Sequence, residues 1–292
     1  MINEPDLIVG IGEILWDILP DGKQAGGAPY NFVYHSKQSG IESVIISAVG
    51  QDSLGSALLT DVRKIGLADD HIQSNSFSTG KVTVKLDSKG QAEYNIHNNV
   101  AWDNILWTEE IEKLAKRSSV VCFGSLCQRN PESAETINKF LKNTKTDCIR
   151  IFDINLRQNY YSKKIIKSSL EKANVFKLNE NELSIIVKLF NISGSLDEQL
   201  HHIMRIFKLD YIAYTMGSKG SILKSCVEEL FFVAPIVEVA DTVGAGDSFT
   251  AVLASGILLG IPLIEIHKRA TEISAFVCTQ KGANPPYKDK IF

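Results

Sequence analysis

The chain has 292 residues, 44% of them hydrophobic and 22% charged, which is enough apolar material for a sizeable core and too much for a disordered chain. A formal net charge of -3 without a long basic run leaves no field to draw in nucleic acid. The longest apolar stretch, residues 251–261, is shorter than the roughly 20 residues a bilayer demands, and the opening residues lack the basic region of a signal peptide, so a cytoplasmic location without a membrane partner is expected.

In chain order, Leu7–Ile11 and residues 44–49 are short β-branched runs that read as buried strands. Residues 54–65 repeat apolar positions at helical spacing, and 111–115 do so more briefly. Between them, residues 81–86 and 93–97 alternate, and Asp87-Ser88-Lys89-Gly90 carries turn chemistry, which predicts an antiparallel hairpin. Further strands are expected at Val120–Phe123, residues 149–152 and Tyr211–Thr215, then a second ribbon from 221–224 and 230–233. Alternating β and α units imply a mostly parallel sheet with helices on both faces. The hairpin that interrupts them is a candidate lid within one α/β domain.

Several signals are discounted. The five cysteines have no CxxC spacing and read as reduced core residues. Gly10-Ile11-Gly12 has Leu15 where a dinucleotide motif needs a third glycine. His201-His202 falls on an expected helix with no ligand cluster nearby, and Trp102 reads as a packing residue, with a place over a ligand as the alternative.

The most informative stretch is Asp241-Thr242-Val243-Gly244-Ala245-Gly246-Asp247, followed by an apolar run over 249–259 of helical length. A turn of small residues feeding a helix N-terminus presents unpaired N–H groups and the positive end of the macrodipole, an anion site. Asp247 in the first turn is either a helix cap or a base beside that site. Far upstream, Gly26-Gly27 lets backbone approach a ligand, while Asp17 and Asn31 offer groups that suit adjacent hydroxyls.

Taken with Gly12-Glu13, Phe152-Asp153-Ile154-Asn155-Leu156-Arg157 and Asn179-Glu180-Asn181-Glu182, these motifs resemble the PfkB (ribokinase-like) family of carbohydrate kinases, the fructokinases above all. The resemblance implies a single ribokinase-like domain over 1–292 with a β lid from about 13–30 and 80–100. It implies Asp247 as catalytic base and Gly244, Ala245 and Gly246 as anion hole. Asp17, Gly26, Gly27, Asn31, Asn155 and Arg157 would hold a small-molecule sugar, and Thr215, Gly217, Gly220 and Asn284 would line the ATP side. Asn179 and Glu182 would organise Mg²⁺ through water, although Asn179 alone reads equally as a helix cap. A monovalent cation such as K⁺ and a homodimer through the lid are left open. The implied reaction is phosphorylation of fructose to fructose 6-phosphate, with ribose, 2-keto-3-deoxygluconate and a catalytically silent sugar-binding protein as alternatives.

Overall fold

The computed structural model describes residues 5–19, 22–86 and 92–292. The chain runs β1 (Leu7–Ile11), β2 (Leu15–Leu19), β3 (Gly22–Gly26), α1 (Ala28–Lys37), β4 (Glu42–Gly50), α2 (Ser53–Lys64), β5 (Ile72–Asn75), β6 (Lys81–Leu86) and β7 (Ala92–Ile96). It continues through α3 (Glu109–Arg117), β8 (Val120–Phe123), α4 (Pro131–Asn143), β9 (Ile149–Asp153), α5 (Lys163–Leu170), β10 (Val175–Asn179), α6 (Glu180–Phe190) and α7 (Leu196–Phe207). It closes with β11 (Tyr211–Thr215), β12 (Ser221–Ser225), β13 (Glu229–Phe232), α8 (Ala245–Leu258) and α9 (Leu263–Cys278).

Among the described residues the main sheet has nine strands, in the order β13-β12-β11-β10-β9-β8-β1-β4-β5. From β11 to β5 every pair is parallel, so the strands end at one edge, where ligands of open α/β sheets bind. The expected second ribbon forms and continues this sheet antiparallel at the β13 end.

Strand pleat divides the core. Leu7, Val9 and Ile11 of β1 face a layer built with α3 to α7, and Ile8 faces one built with α1, α2, α8 and α9, because successive side chains point to opposite faces. Helix starts are set locally. Asp52 accepts from the Gly55 amide at the head of α2, Asn130 precedes Pro131 at the head of α4, and Ser195 with Glu198 closes a capping box on α7. Gly10 is the position where α1 crosses β1, since a Cβ there would lie 2.6 Å from the Pro29 carbonyl oxygen and from Val33 Cγ2. That packing accounts for the Gly-x-Gly that resembles a nucleotide motif.

A second, four-stranded sheet runs β3-β2-β6-β7. Strand β2 pairs parallel with β6, while β2–β3 and β6–β7 are antiparallel. The indole of Trp16 anchors it to α2 by donating to the Leu54 carbonyl at 2.9 Å. The turn expected at 87–90 lies outside the described residues.

One expectation changes and one alternative closes. Cys122, Cys127 and Cys148 are buried and all five thiols are free, but Cys226 is exposed because it sits at the tip between β12 and β13. Trp102 is 1% exposed and lies beneath the Arg129 guanidinium, 4.2 Å from the ring centroid, so packing is its role. No described helix is long and apolar enough to cross a membrane.

Candidate active site

Helix α1 packs on α8, which brings residues separated by 216 positions into contact: Asn31 Nδ2 donates to Asp247 Oδ2 at 2.8 Å. Asn284 Nδ2 in turn donates to Asn31 Oδ1 at 3.0 Å. Burial, then the neighbouring Asp153 carboxylate, pushes the Asp247 pKa up to about 6, against the pull of Asn31, Lys177 and Arg157. The group is therefore poised as a proton acceptor near neutral pH.

Gly244 is the N-cap of α8, at φ 81. A Cβ there would lie 2.5 Å from the Ala283 carbonyl oxygen, so backbone angle and space both favour glycine. The first N–H groups of α8, around Ala245 and Gly246, have no intrahelical acceptor. Behind them lies Lys177, whose Nζ is 2.9 Å from where a Cβ on Gly246 would stand. Lys177 bonds Asp153 Oδ1 at 3.1 Å, with both side chains buried, and Thr250 Oγ1 donates to Asp153 Oδ2 at 2.8 Å. Burial opposes the Lys177 charge, but the carboxylates of Asp153, Glu182 and Asp247 outweigh it and raise its pKa. A fixed cation thus backs the anion turn.

Glu13 and Arg157 interact with Asp247, and Asp17 is tied to the same group through Arg157. Glu13, just past β1, is 2% exposed; burial raises its pKa to about 7, partly offset by the amides of Glu13 and Ala28 and by Arg157. Asp17 on β2 is raised to about 6 by burial and lies against Gly26, where a Cβ would meet its Oδ2 at 2.5 Å. Arg157 is exposed and acts on Glu13, Asp17 and Asp247. Gly27, at φ 116, N-caps α1, and a Cβ there would fall 2.3 Å from the Glu13 carbonyl oxygen. Gly27→Ala is expected to lose about 1–3 kcal/mol from backbone strain alone, read by urea denaturation.

The remaining predicted residues divide. Asn155 takes a left-handed conformation at φ 40 in the loop that carries Arg157. Glu182 pins that loop by accepting the Leu156 amide at 2.9 Å, and its other oxygen accepts the Asn179 amide at 2.8 Å in a capping box. The cap reading of Asn179 therefore holds. Among the described residues there is no cluster of three or more His, Cys, Asp or Glu that suits a metal. Both Glu182 oxygens already accept N–H groups, which fits a Mg²⁺ approached through water rather than ligated directly. Thr215 pairs with Asn179 across β10 and β11, and Gly217 at φ 56 has open space where a Cβ would go. At Gly220 a Cβ would meet the Phe232 carbonyl oxygen at 2.0 Å, so the position requires glycine for packing as well. Asn284, expected beside the nucleotide, lies on the Asn31–Asp247 pair.

Lys177 escaped the sequence reading. Its signal is a lone charge inside the apolar run Val175–Asn179, matched by Asp153 at the end of β9, its register partner.

Comparison with known proteins bears on this arrangement. The sequence profile described as pfkB family carbohydrate kinase matches residues 21–290. A sugar kinase of Pyrococcus horikoshii is 28% identical over 98% of this chain and 94% of its own. Its crystal structure with ATP, described as that of an uncharacterized sugar kinase, superposes with a TM-score of 0.79 over 95% of this chain and 94% of that one. The ATP-dependent 6-phosphofructokinase of Thermoanaerobacterium thermosaccharolyticum is 26% identical over 94% of this chain and 89% of its own. A fructokinase double mutant from Vibrio cholerae, solved with fructose, ADP and potassium ion, has a TM-score of 0.81 at 19% identity, covering 97% of this chain and 95% of that one, a likeness of fold. The profile match runs from the edge of the small sheet, through Asp247, to the loop that carries Asn284, and on that ground the chain belongs to the pfkB family of carbohydrate kinases.

Proposed function

We propose that the protein transfers the γ-phosphoryl group of ATP to a primary hydroxyl of a neutral sugar, fructose first among the candidates. One observation carries the reading: a carboxyl with a pKa of about 6, one oxygen held by Asn31, stands at the N-terminal turn of α8. The other oxygen is left for the incoming hydroxyl, whose proton Asp247 takes as the oxygen attacks phosphorus. The N–H groups of the turn and the Lys177 ammonium stabilise charge on the phosphoryl oxygens. Asp17 and Asn31 hold sugar hydroxyls, Gly217 leaves room for the nucleotide, and the small sheet closes over the sugar to keep water from the phosphoryl group. Mg²⁺ bound with ATP would neutralise phosphate charge, its water shell held by Asn179 and Glu182. The potassium ion of the Vibrio cholerae fructokinase is the ground for including K⁺ in assays.

A neutral sugar is favoured because Glu13, Asp17 and Asp247 set three carboxyls in this neighbourhood. A second reading, an acidic or phosphorylated sugar, draws on Arg157, which is exposed and, among the described residues, forms no ion pair. ADP release with fructose, ribose, 2-keto-3-deoxygluconate and fructose 6-phosphate decides between them. Fructose is expected to lead in kcat/KM by about tenfold or more; a lead for either anionic substrate overturns the neutral-sugar reading.

A further inference from the structure

We propose that Asn284 is a positioning residue for the catalytic base, acting through Asn31, rather than a nucleotide contact. The inference rests on Asp247 being the base.

Hydrogen-bond polarity carries it. A carboxylate only accepts, so the Asn31 group facing Asp247 is the amide NH₂, at 2.8 Å. That leaves Asn31 Oδ1 pointing away, and the partner it meets is the Asn284 NH₂ at 3.0 Å. Each amide orientation is thereby dictated by the next, and Asn284 keeps Asn31 from turning its oxygen toward Asp247.

The backbone around Asn284 is clamped on both sides. The Gly282 amide donates to Asp241 Oδ2 at 3.2 Å. The Ala283 carbonyl accepts from His35 Nε2 at 2.9 Å, and His35 Nδ1 accepts from the Tyr287 hydroxyl at 2.6 Å. Burial lowers the His35 pKa to about 4, so the ring stays neutral and keeps one donor and one acceptor for these two bonds. Asn284 Oδ1 is buried and has no hydrogen-bond partner among the described residues. The substrate proton goes to the Asp247 oxygen that Asn31 does not hold, so the Asn31 bond to Oδ2 serves both protonation states of the base.

The charged groups facing Asp247 are Asp153 at the end of β9, Lys177 on β10, Arg157 in the loop after β9 and Glu13 after β1. None is altered by substitution at 284, so a change in the pH profile reports on the amide pair.

The test combines Asn284→Leu, Asn284→Ser, Asn31→Leu and the Asn31→Leu/Asn284→Leu double variant, each confirmed as folded by its thermal transition. For Asn284→Leu the expected result is a kcat about 10²-fold lower, the size of effect that misplacing a reacting group produces. The acid limb of kcat/KM should move to higher pH, with KM for ATP unchanged. Asn284→Ser, which keeps a small donor, should fall between this variant and the parent, and it carries the test if Asn284→Leu does not fold. In the Asn31→Leu background, Asn284→Leu should add little, because residues acting through one another are not additive. A raised KM for ATP with kcat and pH profile intact, or losses that add across the two sites, overturns the inference. Loss of activity in Asp247→Asn beside parental behaviour in the Asn284 variants overturns this inference alone, whereas an active Asp247→Asn overturns the base assignment with it.

Discussion

Asp247→Asn is expected to lower kcat by roughly 10²–10⁴-fold while sugar KM changes only a few-fold, the pattern for losing a general base that acts mainly in the transition state. The substitution keeps shape and removes the proton acceptor. It also sets an amide against the Asn31 NH₂ donor, so part of the loss is orientation. Because burial raises the Asp247 pKa to about 6 and the carboxylate is the active form, parental kcat/KM should be level at higher pH. It should fall as pH drops through about 6, approaching tenfold per unit. Asp17, also raised to about 6, and Glu13, raised to about 7, titrate nearby and broaden that limb. Near-parental turnover by Asp247→Asn in steady-state assays would remove Asp247 from its role.

Lys177→Met should damage both fold and rate. Removing the ammonium leaves Asp153 buried at 4% exposure with only the Thr250 hydroxyl and no counter-ion, a defect worth about 3–5 kcal/mol when one partner of a buried pair is deleted. It also removes the cation behind Gly246, and each such electrostatic group contributes on the order of 10²–10³ in kcat. A double variant separates the effects. Lys177→Met with Asp153→Leu restores neutrality in the buried layer, so urea denaturation should show most of the stability recovered. Turnover should stay low. If stability and turnover return together, Lys177 serves only to neutralise Asp153.

Strands β1, β4, β8, β9 and β11 were legible as short apolar runs, and α2 by the helical spacing of its apolar residues. Strand β5, Ile-Gln-Ser-Asn, and β10, interrupted by Lys177, were not. Nor was β3. Gly22–Gly26 is Gly-Lys-Gln-Ala-Gly, with no alternation of apolar residues, and it becomes a strand by pairing along β2. The site was legible where chemistry is local: the glycine turn before Asp247 and the Gly26-Gly27 pair announce themselves within a few residues. Lys177 was hidden because its counter-ion lies 24 positions away and a charge in a strand reads as an interruption. The Asn179-Glu182 pair shows the opposite limit. Its spacing reads as a capping box and the family resemblance adds a metal role; the box forms, and the second Glu182 oxygen is taken by the Leu156 amide. Asn284 was read on the nucleotide side, and nothing in its neighbours indicates a partner 253 positions upstream.

That separation bears on how the enzyme comes into being. Strand β1 lies between β4 and β8, so the N-terminal segment enters the middle of the sheet once the first 123 residues exist. Asn31 then waits on α1 for a base supplied by α8 and for an amide supplied by the final loop. Pairings of such high sequence separation form late in folding and slow it, and a growing chain acquires them only after its last segment is available. The sheet can therefore assemble during synthesis before the site is complete, and a chain ending before residue 247 lacks the carboxyl proposed to take the proton of the attacking hydroxyl.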